Sequence, residues 1–222
     1  MSDTPIPDEI ARFARAIGSD GDDVIAEMDA YADREGFPTV GPEVGGWLRL
    51  LARAVDAERA FEFGSGFGYS AYWLAEALPA DGEVVLTEVD ADELDQARTF
   101  LDRGGYADRA RFEHGDAIDI VERYDGPFDV VLVDNEKHRY VEAFEAVREK
   151  IAPGGVVLAD NAITAGHVDF DALLADAEGG DAEMNDATQG IADYLDVVRS
   201  DPAFETSLLP LGEGVAVSVR VE

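Results

Sequence analysis

From residue 60 onward, short apolar runs alternate with amphipathic stretches, and this alternation constrains the fold more than any other feature. The runs read AFEF, VVLTEV, ARFEH, FDVVLV and GGVVLA. Strands that are apolar at nearly every position are typical of a parallel sheet with helices on both faces. The stretches between them place apolar residues at helical spacing, as at Leu94, Ala97 and Leu101. The pattern therefore predicts an α/β fold with five parallel strands.

Three further segments flank or interrupt this core. Residues 1–58 show helical periodicity and predict three helices that pack on the core. The ending FETSLLPLGEGVAVSVRV predicts an antiparallel hairpin at one edge of the sheet. Residues 165–187 are rich in Gly and Asp, which predicts either an insertion or a mobile loop over a site. Because no linker and no internal repeat stands out, residues 1–222 are expected to form a single domain.

Acidic residues dominate the charge of the chain. There are 49 acidic and 17 basic residues, and the formal net charge is −32. The acidic residues are spread along the whole sequence, which we interpret as adaptation to high salt, where a Debye length of about 3 Å at 1 M screens their repulsion. No basic face stands out, and this argues against a nucleic-acid partner.

The sequence also restricts where the protein works and which chemistry it uses. The N-terminus has no basic and apolar leader, and no run approaches the length of a membrane span, so we expect a cytoplasmic protein without membrane contact. Cysteine is absent, which excludes disulfides, a thiol nucleophile and thiolate metal ligands. The three histidines show no spacing typical of a zinc site.

The segment FEFGSGFGYSAYWLAEAL predicts a strand, a glycine-rich turn and a helix, where α/β sheets bind nucleotide-like ligands. Gly64 and Gly66 fit a dinucleotide fingerprint, but Tyr69 stands where its third glycine is required. A tight turn also needs glycine for purely structural reasons, so this motif alone does not establish a ligand. Glu88 ends the second predicted strand and is placed to accept hydrogen bonds from the two hydroxyls of a ribose.

Two further acidic positions follow predicted strands. Asp90, with Asp92 and Glu93, is expected to cap and charge the first turn of a helix. The third strand ends at HGDA, where Asp116 and the Ala117 backbone are placed to contact the edge of an adenine. Asp116 fits the N-cap of the next helix equally well, and the sequence leaves both interpretations open.

The runs VVLVDN and VVLADN are nearly identical, and each ends in Asp-Asn. Because the C-terminal ends of parallel strands share one edge of a sheet, Asp134, Asp160 and Asn161 are expected to converge there. Carboxylate and carboxamide oxygens suit Mg²⁺, which binds few protein ligands and keeps places for water or substrate. Asp and Asn after a strand also start turns or cap helices. Two copies downstream of a glycine-rich turn favour the metal site.

Only two of the 17 basic residues are lysines, Lys137 and Lys150. Lys137 lies three residues after Asp134, and we interpret it as a general base, because an arginine would stay protonated whereas a lysine can accept a proton. Lys150 precedes APGG near a predicted helix end, where a cation complements the helix dipole.

Together the motifs FEFGSGFGYS, LTEVD, HGDA, VLVDNEKHRY and VLADN resemble the cation-dependent, SAM-dependent O-methyltransferases, which include catechol and caffeoyl-CoA O-methyltransferases. The resemblance runs from about Val40 to the C-terminal hairpin. It implies a Rossmann-like class I methyltransferase: a mostly parallel seven-stranded sheet with helices on both faces and an antiparallel C-terminal hairpin. The SAM-site positions that it implies are Val40 (through its backbone), Glu62, Gly64, Gly66, Ser70, Glu88, Asp116, Ala117 and Asp134. It further implies Mg²⁺ or another divalent cation on Asp134, Asp160 and Asn161, and a homodimer.

These inferences predict Mg²⁺-dependent methyl transfer from SAM to a hydroxyl of a small catechol-like acceptor, with Lys137 taking the hydroxyl proton. A tRNA hydroxyuridine O-methyltransferase is an alternative that keeps the chemistry and changes the acceptor. An NAD-dependent dehydrogenase is disfavoured by Tyr69, and a SAM-binding module without catalysis is disfavoured by the metal and base residues. The sequence departs from the family pattern at Asn135 and His138, and residues 165–187 carry over no acceptor contact.

Overall fold

The computed structural model describes residues 6–18 and 20–222, with Asp8 described by its backbone alone. The helices are α1 (Asp8–Ile17), α2 (Asp23–Glu35), α3 (Gly41–Ala54), α4 (Tyr69–Ala77), α5 (Ala91–Arg103), α6 (Ala117–Val121), α7 (Tyr140–Val147), α8 (Phe170–Ala177) and α9 (Asp186–Ser200). The strands are β1 (Arg59–Phe63), β2 (Glu83–Glu88), β3 (Ala110–His114), β4 (Phe128–Val133), β5 (Ile151–Ala159), β6 (Phe204–Leu209) and β7 (Val215–Arg220).

The seven strands form one sheet in the order β3-β2-β1-β4-β5-β7-β6. The first five in this order are parallel, and β7 pairs antiparallel with both β5 and β6. The prediction of five parallel strands and an antiparallel edge hairpin is therefore confirmed. In register, Phe63 pairs with Val133, and Val133 pairs with Ala159, so β1, β4 and β5 end side by side.

Two apolar layers cover the sheet because successive strand residues point to opposite faces. On one face, Val130 and Leu132 pack in a cluster with residues of α2, α3, α4 and α5. On the other face, Val131 and Val133 pack in a cluster with residues of α6, α7 and α9. Both faces of the central strands are buried, which explains why β4 is apolar at nearly every position.

The three N-terminal helices are confirmed and lie on one side of the sheet. Asp22 caps α2 by accepting from the backbone N–H groups of Val24 and Ile25, and Gly36 ends this helix in the left-handed conformation. Helix α1 contacts α3 through an ion pair between Arg15 and Glu43 at 2.8 Å. No helix within the described ranges is long and apolar enough to cross a membrane.

The segment 165–187, expected to be an insertion or a mobile loop over a site, contains helix α8, which the sequence did not predict. Asp169 caps this helix by accepting from the backbone N–H of Ala172. Leu173 is buried against the α7 and α9 side of the sheet. The Gly/Asp-rich part of the segment comes after α8, and the composition of that part obscured the short apolar stripe before it.

Candidate active site

A cleft of about 530 Å³ opens at the C-terminal ends of β1, β2, β4 and β5. The predicted site residues that line it are Val40, Gly64, Gly66, Ser70, Glu88, Asp134, Lys137, Asp160 and Asn161. Phe37, Pro38 and Thr39 form one wall together with Val40, so the chain between α2 and α3 closes over this edge of the sheet. The structure thus brings together the glycine-rich turn, both Asp-Asn motifs and Lys137.

The glycine-rich turn between β1 and α4 requires three glycines for conformational reasons. Gly64, Gly66 and Gly68 all have positive φ, at 81°, 49° and 86°. Gly64 also lies directly against the end of β4, since a side chain at this position would come within 2.8 Å of the Asp134 carbonyl oxygen. The backbone N–H of Gly66 donates to Glu88 at 2.8 Å, and this bond fixes the turn to the end of β2.

Tyr69 begins α4, directly after this turn. Its hydroxyl donates to Asp29 in α2 at 2.7 Å, so the side chain fastens the N-terminal helices to the turn. The glycine that lets the turn approach α5 is Gly68, where a side chain would come within 2.8 Å of Ala97. The glycine that packs against α5 is therefore residue 68, one position before the third glycine of the dinucleotide fingerprint. This is the structural reason why Tyr69 does not fit the fingerprint.

Glu62 lies beneath the turn and outside the cleft lining. Its side chain is fully buried and accepts a hydrogen bond from the Ser70 hydroxyl, while its other oxygen, Oε2, has no partner within the described part of the chain. Burial raises the pKa of Glu62 to about 8, and the hydrogen bond from Ser70 opposes this shift. Burial therefore favours the neutral form of this carboxyl group, which holds Ser70 near the start of α4.

Asp116 and Ala117 also lie outside the cleft lining, at the same edge of the sheet. Asp116 is the N-cap of α6 and accepts from the backbone N–H of Ile118 at 2.9 Å. Its second oxygen accepts from Arg139 at 2.6 Å, which lowers the pKa of Asp116. The N-cap interpretation is confirmed, and contact with an adenine stays a prediction.

The two Asp-Asn motifs meet as the topology predicts. Asp134 and Asp160 each follow one member of the Val133–Ala159 register pair, and the backbone N–H of Asp160 donates to the Val133 carbonyl at 3.1 Å. Asp160 is 4% exposed, and its Oδ1 has no hydrogen-bond partner among residues 6–18 and 20–222. Burial, and then the charge of Asp134, raise the pKa of Asp160 to about 8.

Asn161 has a positive φ of 57°, the left-handed conformation that asparagine adopts more readily than most residues. Its side-chain amide donates to Glu213, which lies in the tight turn between β6 and β7 and lines the cleft. Glu213 was missed by sequence reasoning. Its signal was the acidic residue in the PLGEG turn of a hairpin that was expected to pair at the sheet edge.

Lys137 begins a short 3-10 turn after β4 and extends its amine back to the cleft floor. Nζ donates to Asp134 Oδ1 at 3.0 Å and to the Tyr140 hydroxyl at 2.8 Å, with a longer contact of 3.4 Å to the Asn135 carbonyl oxygen. Burial raises the pKa of Tyr140 well above its ordinary value, so this phenol stays neutral. Lys137 therefore lies among acceptors at the point where the two motifs meet.

Lys150 occupies a different environment. Its Nζ donates at 2.7 Å to the carbonyl of Val121, the last residue of α6. The cation therefore interacts with the C-terminus of α6, whereas the sequence suggested the end of the helix that precedes it. Lys150 has a structural contact and no place in the cleft lining.

Comparison with known proteins decides the family. A family model described as O-methyltransferase matches residues 19–221. The chain belongs to this O-methyltransferase family. It is 35% identical to a catechol O-methyltransferase from Niastella koreensis over 158 residues, covering 68% of this chain and 71% of the relative. It is 31% identical to a catechol O-methyltransferase from Mycobacterium tuberculosis over 185 residues, covering 82% of each, and 25% identical to a caffeoyl-CoA O-methyltransferase from Petroselinum crispum over 193 residues, covering 82% of this chain and 77% of the relative.

Solved structures support the fold of this O-methyltransferase. An O-methyltransferase from Bacillus cereus in complex with SAH has a TM-score of 0.82 at 23% identity, covering 96% of this chain and 97% of that one. One from Streptomyces achromogenes in complex with SAM has a TM-score of 0.83 at 24% identity and covers 96% of both chains. The class I methyltransferase fold and the SAM-dependent O-methyltransferase activity are thus confirmed, and a dehydrogenase is excluded. The roles of individual residues stay predictions.

Proposed function

We propose that this O-methyltransferase transfers the methyl group of SAM to one hydroxyl of a small catechol-like acceptor and depends on Mg²⁺ or another divalent cation. The observation that carries the proposal is the meeting of Asp134, Asp160 and Asn161 with Lys137 at one edge of the sheet, next to the glycine-rich turn. SAM binding alone requires neither this set of oxygen ligands nor a lysine.

The residues present fit a divalent cation. A buried carboxylate oxygen without a partner, Asp160 Oδ1, costs free energy in the absence of a ligand that satisfies it. Asp134 and Asn161 add two hard oxygen donors at the same edge. The described residues contain no group of three His, Asp or Glu side chains arranged for a metal. The proposed ligands are two carboxylates and one carboxamide.

A bound divalent cation would supply the positive charge that favours ionisation of the acceptor hydroxyl, and bound SAM would supply the methyl group. Lys137 takes the hydroxyl proton at Nζ. Residues 37–40 form one wall of the cleft, and the hydrogen bond from Gly66 to Glu88 keeps the glycine-rich turn in place. Positioning of the two reactants is the main contribution of the chain, because well-oriented reactants can gain about 7–11 kcal/mol over free ones.

The charges that line the cleft favour a small, neutral or cationic acceptor. Among the described residues, the acidic side chains in the lining are Glu88, Glu93, Asp134, Asp160 and Glu213. The basic side chains there are Lys137, which already donates to Asp134, and His167. A CoA thioester or tRNA brings several phosphates, and Lys137 and His167 are the basic side chains that the described lining offers them. The proposal therefore commits to a free catechol.

The test is an activity screen with labelled SAM, with and without Mg²⁺, in molar salt. Catechols, a caffeoyl-CoA thioester and bulk tRNA are the three acceptor classes. We expect methylation of catechols only, and only with a divalent cation. Methylation of tRNA or of the thioester in preference to every catechol would contradict the proposed acceptor.

We further propose that the −32 net charge adapts the protein to high salt. Below about 0.5 M salt, weaker screening should let repulsion between carboxylates unfold the chain. Circular dichroism across a salt series measures this. At 50 mM NaCl the Debye length has grown to about 10–15 Å, so the carboxylates are much less screened than in molar salt. A melting temperature that stays unchanged down to this concentration would contradict the proposal.

Homodimer formation and a cytoplasmic location stay predictions. Ile10, Phe13 and Ile17 on α1 are exposed apolar side chains, and Trp47 and Leu50 on α3 are also exposed. Such exposed apolar side chains are compatible with a second copy at this face. Light scattering in molar salt would measure the oligomeric state.

A further inference from the structure

Tyr140 is the first residue of α7, and its hydroxyl links the proposed base to the neighbouring strand. The hydroxyl accepts a hydrogen bond from Lys137 Nζ at 2.8 Å and donates one to the Asp160 backbone carbonyl at 3.0 Å. The side chain is fully buried. We propose that Tyr140 is a positioning residue that orients the Lys137 amine toward the acceptor, an inference that rests on the proposed function.

The direction of these bonds follows from the number of hydrogens. A phenol has one hydrogen, and Tyr140 gives it to the Asp160 carbonyl, so only its lone pairs can face Lys137. An ionised Asp134 is also an acceptor only, and it takes a second bond from Nζ at 3.0 Å. A longer contact of 3.4 Å joins Nζ to the Asn135 carbonyl oxygen, so three acceptors fix the place of the amine, and Lys137 lines the cleft.

The backbone of Lys137 is fixed separately, by α9. Gly190 packs so closely against the 3-10 turn that a side chain at this position would overlap the Lys137 carbonyl oxygen and the His138 Cα. The turn therefore cannot move toward α9. Rotation of the long lysine side chain is the freedom that remains, and the Tyr140 hydroxyl restricts it.

Tyr194 provides a matched control. It is also fully buried, and its ring meets that of Tyr140 edge to face, with ring centroids 5.6 Å apart. Its hydroxyl is not part of the chain of bonds that joins Lys137, Tyr140 and Asp160. Tyr140→Phe and Tyr194→Phe each remove one oxygen from the same ring pair, but only Tyr140→Phe also removes the hydrogen bonds to Lys137 and to the Asp160 carbonyl.

The first experiment needs no acceptor. The chain has two lysines, so ¹⁵N-lysine labelling gives two Nζ signals in NMR, with Lys150 as an internal reference. We expect Tyr140→Phe to shift the Lys137 signal and speed hydrogen exchange at its Nζ, while the Lys150 signal stays in place. Tyr194→Phe should leave both signals unchanged. An unmoved Lys137 signal in Tyr140→Phe would overturn the proposal whatever the activity of the enzyme.

The second experiment measures kinetics with the best catechol from the screen. Because misplacement by about 1 Å can cost about 10²-fold in rate, Tyr140→Phe should lower kcat about 10- to 100-fold and leave KM for SAM within about twofold. Equal kcat values for the two tyrosine variants would overturn the proposal. If wild-type enzyme methylates no catechol, the proposed function fails, while the NMR result still decides whether Tyr140 orients Lys137.

Discussion

The two Asp-Asn motifs share five of six letters and end neighbouring strands, yet their side chains do different things. The first aspartate, Asp134, is 27% exposed in its side chain and pairs with Lys137, whereas Asp160 is 4% exposed and leaves one oxygen without a partner. The two asparagines of the motifs differ as well. Asn135 has a buried Oδ1 without a partner in the described structure, and Asn161 has a left-handed backbone and donates to Glu213.

The comparison shows what a repeated motif determines and what it does not. The apolar run places both Asp-Asn pairs at the same edge of the sheet, because it specifies a buried parallel strand. The residues that follow determine the role. After Asn135 the chain turns back with Lys137 and enters α7, whereas after Asn161 it passes the β6–β7 turn that carries Glu213. The first motif thus lies beside the proposed base, Lys137, and both motifs supply oxygen atoms to the proposed cation site.

The largest expected effect comes from removing the cation. EDTA should abolish turnover and added Mg²⁺ should restore it, because the carboxylates are proposed to hold the ion next to the acceptor. Asp160→Ala should abolish turnover without rescue by Mg²⁺, while calorimetry shows SAM affinity within a few-fold of wild type. Full turnover of the chelated enzyme would mean that Asp134, Asp160 and Asn161 only shape turns, and the distinction between the motifs would lose its chemical meaning.

The next effect is at Lys137. Loss of a general base costs about 10²- to 10⁴-fold in rate, so kcat of Lys137→Met should fall into this range with little change in SAM binding. Lys150→Met is the control and should leave kcat nearly unchanged, since its contact with α6 contributes only about 0.3–1 kcal/mol to stability.

Lys137→Arg sharpens this result. Arginine restores the charge without an available lone pair, so kcat should stay near that of the methionine variant. Recovery of most of the activity would instead assign Lys137 the role of a fixed positive charge beside the acceptor oxygen.

A smaller contrast separates the two asparagines. Asn161→Ala removes a proposed ligand and should weaken Mg²⁺ activation at least about 10-fold, the size of effect seen when partners of metal ligands are lost. Asn135→Ala removes a buried oxygen atom, Oδ1, that lacks a hydrogen-bond partner in the described structure. Because burying such an atom costs about 1–3 kcal/mol, kcat and the melting temperature should not fall. Titration of activity against Mg²⁺ and thermal melting of both variants measure this. Equal losses in the two variants would show that both asparagines serve the same role.

The smallest effect concerns pH in the metal-free protein. Burial and the charge of Asp134 raise the pKa of Asp160 to about 8 in the folded protein without a cation, whereas an unfolded aspartate has a pKa near 3.9. Between these values the folded state binds the extra proton, so this group destabilises the fold progressively as pH rises toward 8.

Asp160→Asn should therefore raise the melting temperature of EDTA-treated protein more at pH 8 than at pH 5. A difference of about 2–4 °C corresponds to about 1 kcal/mol in a domain of this size. Asp196→Asn, at an exposed position, controls for the loss of one negative charge. A gain that does not depend on pH would show that Asp160 is ionised in the folded protein even without a cation.

The sequence predicted the sheet and the position of the site because both depend on patterns along the chain. Apolar runs gave β1 to β5, and topology placed Asp134 beside Asp160. It could not predict Glu213, which reaches the site through antiparallel pairing between β5 and β7, far along the chain. The composition of residues 165–187 also hid α8, since glycine and aspartate after the helix outweighed its short apolar stripe.

The part played by Tyr140 was equally out of reach of sequence reasoning. Its spacing from Lys137 is visible in the sequence, but a bond to the backbone of Asp160 depends on how β4 and β5 align. In the sequence it stands only as the last residue of the motif VLVDNEKHRY.

The close approach of Gly64 to the Asp134 backbone has a consequence for engineering. The two main chains are in contact there. The spacing between the glycine-rich turn and the end of β4 therefore does not depend on side chains elsewhere, and exchanging those side chains should not alter it. His167 and Glu213 lie on separate segments that border the other half of the cleft. Directed evolution of these two segments is therefore expected to change the accepted substrate without moving the glycine-rich turn away from Asp134.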